Sequence, residues 1–427
     1  MGRLNLRRLI VQNIGKIVSG DWEKGIVRGD TILVEEGLIK RIGNSEDIRA
    51  AAGDTVIDAN GMVAVPGFID PHTHLAIGDY APMQRMVGLL EESLLQGITT
   101  ILDEWVQFEG LPLFYPPDPI GVKATALLTQ RAYKNFHPGG AMKIHAGSIM
   151  LVRGIKEADL KELADAGIWK VGQIGGSTDL RPEELIEMVQ LARKYGMFVS
   201  ANYGPGVLKH SAYVDLDLIL KIKPDKLAHI NGGTTAPDWK QVKELIDNTT
   251  MPLEIIPYGN MKIAIKVVQY VKEKGQLRRL LFGSDTPTGQ GYLPVAVQRA
   301  VIMMSSLCDI PAQQAIAMAT GNTGDLYGKW INVGKIEPGK EADIVIIDKP
   351  PGSVGRDALE AIEVGDTFGV SAVIVDGRLV ALRGRDTRPT ERAIKLNGKE
   401  LRVGDPNEAL FDPPRFYWKS TGETYLL

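Results

Sequence analysis

Eight short apolar segments, each followed by a longer stretch with helical spacing of apolar residues, constrain most strongly how this 427-residue chain can fold. The apolar segments are Gly67–Asp70, Thr99–Leu102, Met142–His145, Trp169–Gln173, Phe198–Asn202, Lys226–His229, Pro252–Ile256 and Leu280–Gly283. The amphipathic stretches between them include Glu157–Ala166, Pro182–Tyr195, Asp238–Ile246 and Lys262–Lys274. Eight strand–helix alternations in one region are typical of a parallel (β/α)8 barrel, the TIM barrel of the α/β class.

The segments on either side of this region have strand character instead. The strand candidates there are Leu9–Val11, Thr31–Glu35, Ile39–Ile42, Thr55–Asp58, Gly339–Asp348 and Val370–Val380. Because chain termini often lie close together, we expect these strands to form one small β-sandwich domain. The predicted organisation is a first sandwich part over residues 1–65, a barrel over 66–330, a second sandwich part over 331–396 and a C-terminal arm over 397–427.

Composition excludes several classes of partner and site. The formal charge of −3, with acidic and basic residues interspersed, gives no reason to expect nucleic acid or an anionic membrane as partner. The single cysteine, Cys308, excludes an intrachain disulfide and a thiolate zinc cluster. The sequence has neither an apolar run long enough to span a bilayer nor a signal-peptide core, so we expect a cytoplasmic protein.

The first predicted barrel strand ends in a His-x-His pair, within Pro66-Gly67-Phe68-Ile69-Asp70-Pro71-His72-Thr73-His74. Residues two apart on a strand face the same side, so His72 and His74 can both point into the barrel. Catalytic groups of such barrels lie at the carboxyl ends of the strands, and neutral imidazole is a common ligand of zinc. The pair therefore predicts a metal site.

Other polar residues also fall at predicted strand ends and complete the candidate site. Asp285 follows the eighth strand, where an N-cap of the next helix is the alternative interpretation, since Thr286-Pro287 come next. Arg85, in the loop after the first strand, can pair with a substrate carboxylate. The remaining candidates for contact with substrate or metal are Glu104, His145, Gln173, Asn202, Tyr203 and His229.

Three motifs resemble the amidohydrolase superfamily. They are the residues from Pro66 to His74, Phe282-Gly283-Ser284-Asp285 and Gly339-Lys340-Glu341-Ala342-Asp343-Ile344-Val345. Within the superfamily, the chain resembles the enamidase-like cyclic amidohydrolases at Gly78-Asp79-Tyr80-Ala81-Pro82, His229-Ile230-Asn231-Gly232-Gly233 and Ala319-Thr320-Gly321-Asn322. The resemblance extends from Ile10 to about Lys395.

The resemblance implies a mechanism and also reveals two departures. In the family pattern Asp285 binds the metal and takes a proton from the attacking water, and His229 binds a second metal or polarises the substrate. The position of the bridging carboxylate is Gln173, and that of the strand-five histidine is Asn202. A neutral amide is a poor bridge between two cations. Lys170, three residues before Gln173, is expected to face the opposite side of the strand.

We therefore expect one divalent metal per chain, held by His72, His74 and Asp285, with His229 as fourth ligand or catalytic partner. Zinc is the expected ion, and iron, manganese and cobalt are alternatives because all accept His and Asp ligands. Glu104 could compensate for one of the missing ligands. The resemblance implies hydrolysis of a C–N bond in a cyclic amide or enamide.

Two alternatives remain at this point. One is a single-metal ring deaminase; the other is a pseudo-enzyme subunit that binds an active paralogue in a hetero-oligomer, because two ligands of a second metal are lost. The expected partners are a small-molecule substrate and, from the resemblance, further copies of the chain in a homo-oligomer, with a tetramer favoured. The C-terminal arm would pack on the body or on a neighbouring subunit.

Overall fold

All eight predicted barrel strands form in the computed structural model, which describes residues 8–75, 89–105, 116–136, 141–175, 180–204, 214–233, 236–286, 295–384, 387 and 389–401. The strands are β1 (Leu9–Gln12), β2 (Lys16–Val18), β3 (Ile26–Val27), β4 (Thr31–Glu35), β5 (Leu38–Gly43), β6 (Thr55–Asp58), β7 (Val63–Pro66), β8 (Phe68–Thr73), β9 (Ile98–Asp103), β10 (Lys143–His145), β11 (Lys170–Ile174), β12 (Phe198–Ala201), β13 (Lys226–Leu227), β14 (Leu253–Ile255), β15 (Leu280–Phe282), β16 (Ile344–Asp348), β17 (Gly369–Val375), β18 (Arg378–Leu382), β19 (Lys395–Leu396) and β20 (Lys399–Glu400).

Several helices begin at a residue whose side chain caps the first turn. Asp215, Asp238 and Asn260 each accept a hydrogen bond from the backbone N–H three residues later, which satisfies one of the free donors of the first turn. The helices are α1 (Leu89–Leu95), α2 (Pro119–Phe136), α3 (Glu157–Asp165), α4 (Pro182–Lys194), α5 (Leu216–Ile222), α6 (Trp239–Asn248), α7 (Met261–Glu273), α8 (Ala296–Cys308), α9 (Ala312–Met318), α10 (Gly321–Leu326) and α11 (Ala358–Glu363).

The central strands form two parallel sheets whose carboxyl ends lie on one side. One sheet has the order β10-β9-β8 and the other β11-β12-β13-β14-β15. Two isolated parallel bridges, Thr73–Thr286 and Ile149–Val171, connect the two sheets at both of their edges. The helices between the strands follow the alternation expected of parallel connections. The segments that follow these strands therefore lie along one rim.

Strands from both chain ends mix in two further sheets, with the orders β20-β19-β6-β1-β4-β5 and β18-β17-β16-β7-β2-β3. Strand β7, from the N-terminal segment, pairs antiparallel with β16 from the C-terminal segment. An apolar cluster joins residues of the first sheet, such as Val11 and Ile32, to residues of the second, such as Ile344 and Ile374. The hairpin β19–β20 continues the first sheet as far as Glu400.

Strands β2, β3 and β7 and the β19–β20 hairpin are not among the predicted strands. Strand β7 is buried at all four positions. It directly precedes the first parallel strand, so no turn signal separates the two strands. Residues 402–427, most of the predicted arm, lie outside the described residues. Among the helices described here, none is long and apolar enough to cross a membrane.

Candidate metal centre

Three predicted ligands converge at the rim of the parallel sheets. His72 belongs to β8, His74 follows it, and Asp285 lies three residues after β15. The Nε2 atoms of the two histidines are 3.3 Å apart, and Asp285 Oδ1 lies 2.9 Å from Nε2 of His74 and 3.2 Å from Nε2 of His72. All three residues are buried. Their nitrogen and oxygen donors therefore face one small volume that a cation can share.

Backbone hydrogen bonds hold the two segments that carry these ligands together. Asp285 N donates to His72 O at 2.9 Å, and His74 N donates to the carbonyl of Thr286 at 2.9 Å. Asp70 Oδ1 accepts from the N–H groups of His72 and Ser284 at 3.2 and 3.0 Å. Burial raises the pKa of Asp70 to about 6, against the opposing effect of these donors. The Asp of the opening motif thus has a structural role beneath the ligands.

Close approach of the strands also requires a glycine beside the ligands. A Cβ on Gly283 would lie 2.9 Å from His72 Cβ and 3.1 Å from the side-chain carboxyl carbon of Glu254. A separation of 2.9 Å is closer than real Cβ atoms come to other atoms, and the repulsion would displace the buried His72. Gly283 therefore lets β15 approach β8 and β14 closely enough for Asp285 to reach the histidines.

The electrostatic field at the three ligands favours a cation. Burial lowers the pKa of His72, but the carboxylates of Glu254 and Asp285 outweigh this effect and raise that pKa to about 10. Burial likewise raises the pKa of Asp285, whereas His72 and His74 hold it well below its usual range. Two buried carboxylates on one imidazole attract positive charge. A proton or a metal cation can supply it.

A second group of potential ligands, His72, Glu104 and Glu254, lies on the other side of the His72 ring. Lysine ammonium groups already supply the positive charge at this second group. The Lys226 ammonium lies 2.6 Å from Glu104 Oε1 and contacts Glu254 Oε2, and Lys170 Nζ is 3.0 Å from Glu104 Oε1. Glu104 is therefore paired with two lysines. The Lys170 side chain is buried and reaches Glu104, on a strand whose pairing is irregular between Val171 and Ile174.

His229 lies beside the three ligands without belonging to their group. Its ring centroid is 5.6 Å from that of His72, and its backbone φ is 30°. Desolvation lowers the pKa of His229, which keeps the ring neutral near pH 7. Nδ1 of His229 is buried and has no hydrogen-bond partner within the described part of the chain. A neutral imidazole next to the ligands, whose Nδ1 has no partner among the described residues, can serve a substrate or a water molecule.

The candidate substrate contacts at the ends of the fourth and fifth parallel strands are Gln173, Asn202 and Tyr203. Asn202 Oδ1 is buried and has no partner among the residues described. The Tyr203 hydroxyl donates to the carbonyl of Gln241 at 3.2 Å, so it also serves to hold α6 against the sheet. Gln173 belongs to β11, but its side chain lies outside the described part, as does all of Arg85.

His145 lies on the wall of a separate cavity of about 700 Å³, which Tyr133, Trp169 and Trp330 also line. His145 was predicted to lie at the rim because the apolar residues of the third strand end there. In the structure His145 pairs with Leu102, and the chain continues to Ser148, whose hydroxyl donates to the Asp103 carbonyl at 2.6 Å. His145 thus lies below the rim. Burial, together with the charges of Lys143 and Lys170, lowers its pKa to about 4.

Glu254 and Lys226 are the members of the site that the sequence analysis missed. Both side chains are fully buried, and Glu254 Oε1 contacts His72 Nδ1 directly. The available signal was a charged residue inside a strand with apolar neighbours, as in Pro252-Leu253-Glu254-Ile255-Ile256. A buried charge of this kind requires a partner. The identity of that partner depends on the register between the strands, which the sequence alone did not specify.

Comparison with known proteins gives consistent matches. Two family models, both described as the amidohydrolase family, match residues 55–170 and 219–380. Enamidase from Eubacterium barkeri is 41% identical over 393 residues, which cover 92% of this chain and 100% of that protein. A 5-methylthioadenosine/S-adenosylhomocysteine deaminase from Symbiobacterium thermophilum is 23% identical and covers 88% and 94%. The crystal structure of enamidase superposes with a TM-score of 0.86 at 41% identity, covering 91% of this chain and 100% of that one.

Proposed function

Because the chain belongs to the amidohydrolase superfamily, we propose that it is a metal-dependent hydrolase that cleaves the C–N bond of a small cyclic amide or enamide. The observation that carries this proposal is the convergence of His72, His74 and Asp285, whose donor atoms lie 2.9 to 3.3 Å apart. The 41% identity to an enamidase over nearly the whole chain supports the cyclic enamide as substrate class.

The same proposal includes the architecture predicted from the sequence, a closed (β/α)8 barrel with a β-sandwich built from both termini. The bridges Thr73–Thr286 and Ile149–Val171 support closure of the eight parallel strands. The apolar cluster shared by the two six-stranded sheets supports the sandwich. Domain boundaries near residues 66 and 330 agree with the change from these sheets to the parallel strands.

The donor set fits one divalent cation, for which zinc is our proposal. Ligand atoms about 2.0–2.1 Å from a tetrahedral ion lie about 3.3 Å from one another, close to the separations found here. Two imidazoles and a carboxylate leave one position open, as catalytic zinc sites do. When bound, such a cation supplies Lewis acidity, which polarises the scissile carbonyl and acidifies the attacking water.

The proposed chemistry of the protein groups follows from their positions. Asp285 accepts the proton of the attacking water at its carboxylate and returns it to the leaving nitrogen. His229 donates a hydrogen bond to the oxygen of the carbonyl as negative charge develops there. Asn202 is proposed to bind a polar group of the substrate, since its amide oxygen is buried without a partner among the described residues. An unmade bond of this kind is costly until a ligand satisfies it.

The function is tested by incubating the zinc-loaded protein with a six-membered cyclic enamide, a saturated lactam, a purine nucleoside and a dipeptide. The proposal predicts hydrolysis of the enamide first. The amide C–N bond breaks and the ring opens; the enamine end then tautomerises and is hydrolysed by a second water, which releases ammonia and leaves a carboxylate and a carbonyl group. A variant with His72→Ala and His74→Ala should be inactive. Ammonia release from the nucleoside would favour the deaminase alternative, and inactivity on every compound would favour the pseudo-enzyme.

We also infer that the chain forms a homo-oligomer, with a tetramer favoured by its resemblance to enamidase-like enzymes. Light scattering of the purified protein during gel filtration tests this inference. A mass of about four chains supports it, and a monomer at micromolar concentration contradicts it.

A further inference from the structure

A network of four buried side chains with alternating charge lies behind the proposed metal ligands. It runs from Lys170 through Glu104 and Lys226 to Glu254, and each side chain is at most 4% exposed. Lys226 Nζ also donates to the Pro71 carbonyl at 3.3 Å, just before the ligand pair begins. The charges of the two ammonium groups and the two carboxylates cancel, so the network is neutral even when His72 carries no charge. Such a network is stable in a low-dielectric interior only when each charge is paired.

This charged network ends at the ring of His72. Glu254 Oε1 contacts Nδ1, while Nε2 on the opposite side of the ring lies 3.2 Å from Asp285 Oδ1 and 3.3 Å from His74 Nε2. The two ring nitrogens of His72 thus have separate tasks. One faces a carboxylate that only accepts hydrogen bonds, and the other faces the shared donor volume.

We propose that Glu254 is a positioning residue that fixes the orientation and the Nδ1–H tautomer of His72, and that Lys226 fixes Glu254 in turn. This inference rests on the proposed function, because it assumes that Nε2 of His72 binds the metal. The Nδ1–H of His72 donates to Glu254 Oε1, which leaves the Nε2 lone pair directed toward Asp285 and His74. A carboxylate behind a ligating histidine both holds the ring and increases its basicity as a ligand.

Lys226 makes this arrangement specific for a carboxylate. Lys226 has only donors, so it requires an oxygen at its contact with residue 254. In the Glu254→Gln variant the single amide oxygen turns toward Lys226, and the NH2 group faces His72 Nδ1. That nitrogen must then accept, which moves the ring proton to Nε2, the atom that faces the metal. The variant has nearly the same shape but the wrong tautomer of His72.

The experiment measures the affinity for Zn²⁺ by competition with a chelating dye. Glu254→Gln should weaken zinc binding about 10- to 100-fold, the range for loss of such an outer contact. The matched control is Glu104→Gln. It makes the same change at the other carboxylate that Lys226 contacts and leaves the contact between Glu254 and His72 in place. It should lose clearly less affinity than Glu254→Gln. Equal losses in these two variants would overturn the proposal.

A double variant separates tautomer control from general damage to the core. When Lys226→Met accompanies Glu254→Gln, the amide is free to turn its oxygen to His72, so zinc affinity should recover most of the loss. Damage to packing or charge balance would instead add, and the double variant would bind zinc more weakly than either single variant. That additive result would overturn the proposal.

A measurement on the unaltered protein covers the case in which the variants fail to fold. In the zinc-loaded protein labelled with ¹⁵N-histidine, NMR should show a proton on Nδ1 of His72 that exchanges slowly with solvent, and none on Nε2. A proton on Nε2 would overturn the positioning role. These outcomes are independent of substrate: graded zinc affinities in a protein that hydrolyses nothing would contradict the proposed function and leave the role of Glu254 intact.

Discussion

Asp285 and His229, the two residues to which the proposed chemistry assigns proton transfer and charge stabilisation, both have left-handed backbone conformations. Their φ values are 56° and 30°, which residues with side chains rarely adopt. Such strain persists only where the surrounding structure enforces it, and it is common at active sites. For Asp285 the enforcing contacts are the hydrogen bond to the His72 carbonyl and the bond between Thr286 and His74.

A change at Asp285 tests the assignment at this scale. Asp285→Asn keeps the shape and one donor oxygen but removes the group that accepts the proton of water. We expect zinc to remain bound, with lower affinity, and turnover of the enamide to fall about 10²- to 10⁴-fold. Elemental analysis and steady-state kinetics measure the two effects. Asp325→Asn, on a partly exposed carboxylate of α10, is the control. Full activity of Asp285→Asn would remove this residue from the mechanism.

At the residue scale, the sequence predicted the part of the site that local geometry determines. His72 and His74 were found because two residues on one strand share a face whatever the neighbours are. Glu254 and Lys226 could not be found in this way. Their contact depends on the pairing of β13 with β14, in which Leu227 lies opposite Leu253. His145 was misplaced because the strand end seen in the sequence lies below the rim.

At the scale of elements, apolar runs predicted the existence of strands well and their ends less well. The strands Thr31–Glu35 and Thr55–Asp58 form with the predicted bounds, and the fourth predicted barrel strand starts and ends one residue later, as Lys170–Ile174. Short strands outside the strand–helix alternation, such as Ile26–Val27, were not recognised because so short a run has no period of its own. Strands β2 and β19 pair with the distant strands β7 and β6, and this tertiary pairing decides whether they form.

One lysine connects a parallel strand to loop residues of the C-terminal segment. Lys143, on β10, lies within 2.7 to 2.8 Å of carboxylate oxygens of Glu341, Asp343 and Asp376. Lys143→Met would leave the fully buried Asp343 without its cation, which typically costs about 3–5 kcal/mol. We therefore expect a clearly lower midpoint of urea unfolding, followed by circular dichroism.

The control for this prediction is Lys161→Met, which removes an exposed pair with Asp165 within one helix. Such pairs contribute about 0–1 kcal/mol, so the midpoint should hardly move. If Lys143→Met unfolds at the same urea concentration as this control, the ion cluster does not connect the two parts of the molecule.

At the scale of the whole molecule, the chain folds its two ends into common sheets. Strand β7 from the N-terminal segment separates β2 from β16, so neither terminal segment completes its sheet alone. The sequence indicated that both ends have strand character. It could not indicate the order of the strands within the sheets, because that order is set by pairing over more than 270 residues, as between Val63 and Ile347.

A second long-range contact makes stability depend on pH. Lys335 Nζ lies 3.0 Å from Asp21 Oδ2 in the N-terminal segment and 2.8 Å from Asp325 Oδ1. Burial raises the pKa of Asp21, but the hydrogen bond from Lys335 and backbone donors outweigh it and lower the pKa to about 2. A depressed native pKa stabilises the fold above the unfolded value near 3.8, and this stability is lost as pH falls toward 2.

Lys335→Met should therefore be less stable than the unaltered protein at pH 6, by up to about 2 kcal/mol. The difference should shrink as the pH falls, with about half of it gone near pH 3. Urea unfolding of both proteins between pH 3 and 6 measures this difference in the free energy of unfolding. A difference that is independent of pH would show that Lys335 stabilises the fold through its packing, and the Asp21 ion pair would then contribute nothing.

The metal content of the protein tests the central claim most directly. Elemental analysis is made on the purified protein, expressed without added metal and then reconstituted with zinc, beside the variant with His72→Ala and His74→Ala. We predict about one divalent ion per chain in the unaltered protein and none above background in the variant. Absence of metal from the unaltered protein after reconstitution, or equal metal in both proteins, would contradict a metal centre at His72, His74 and Asp285.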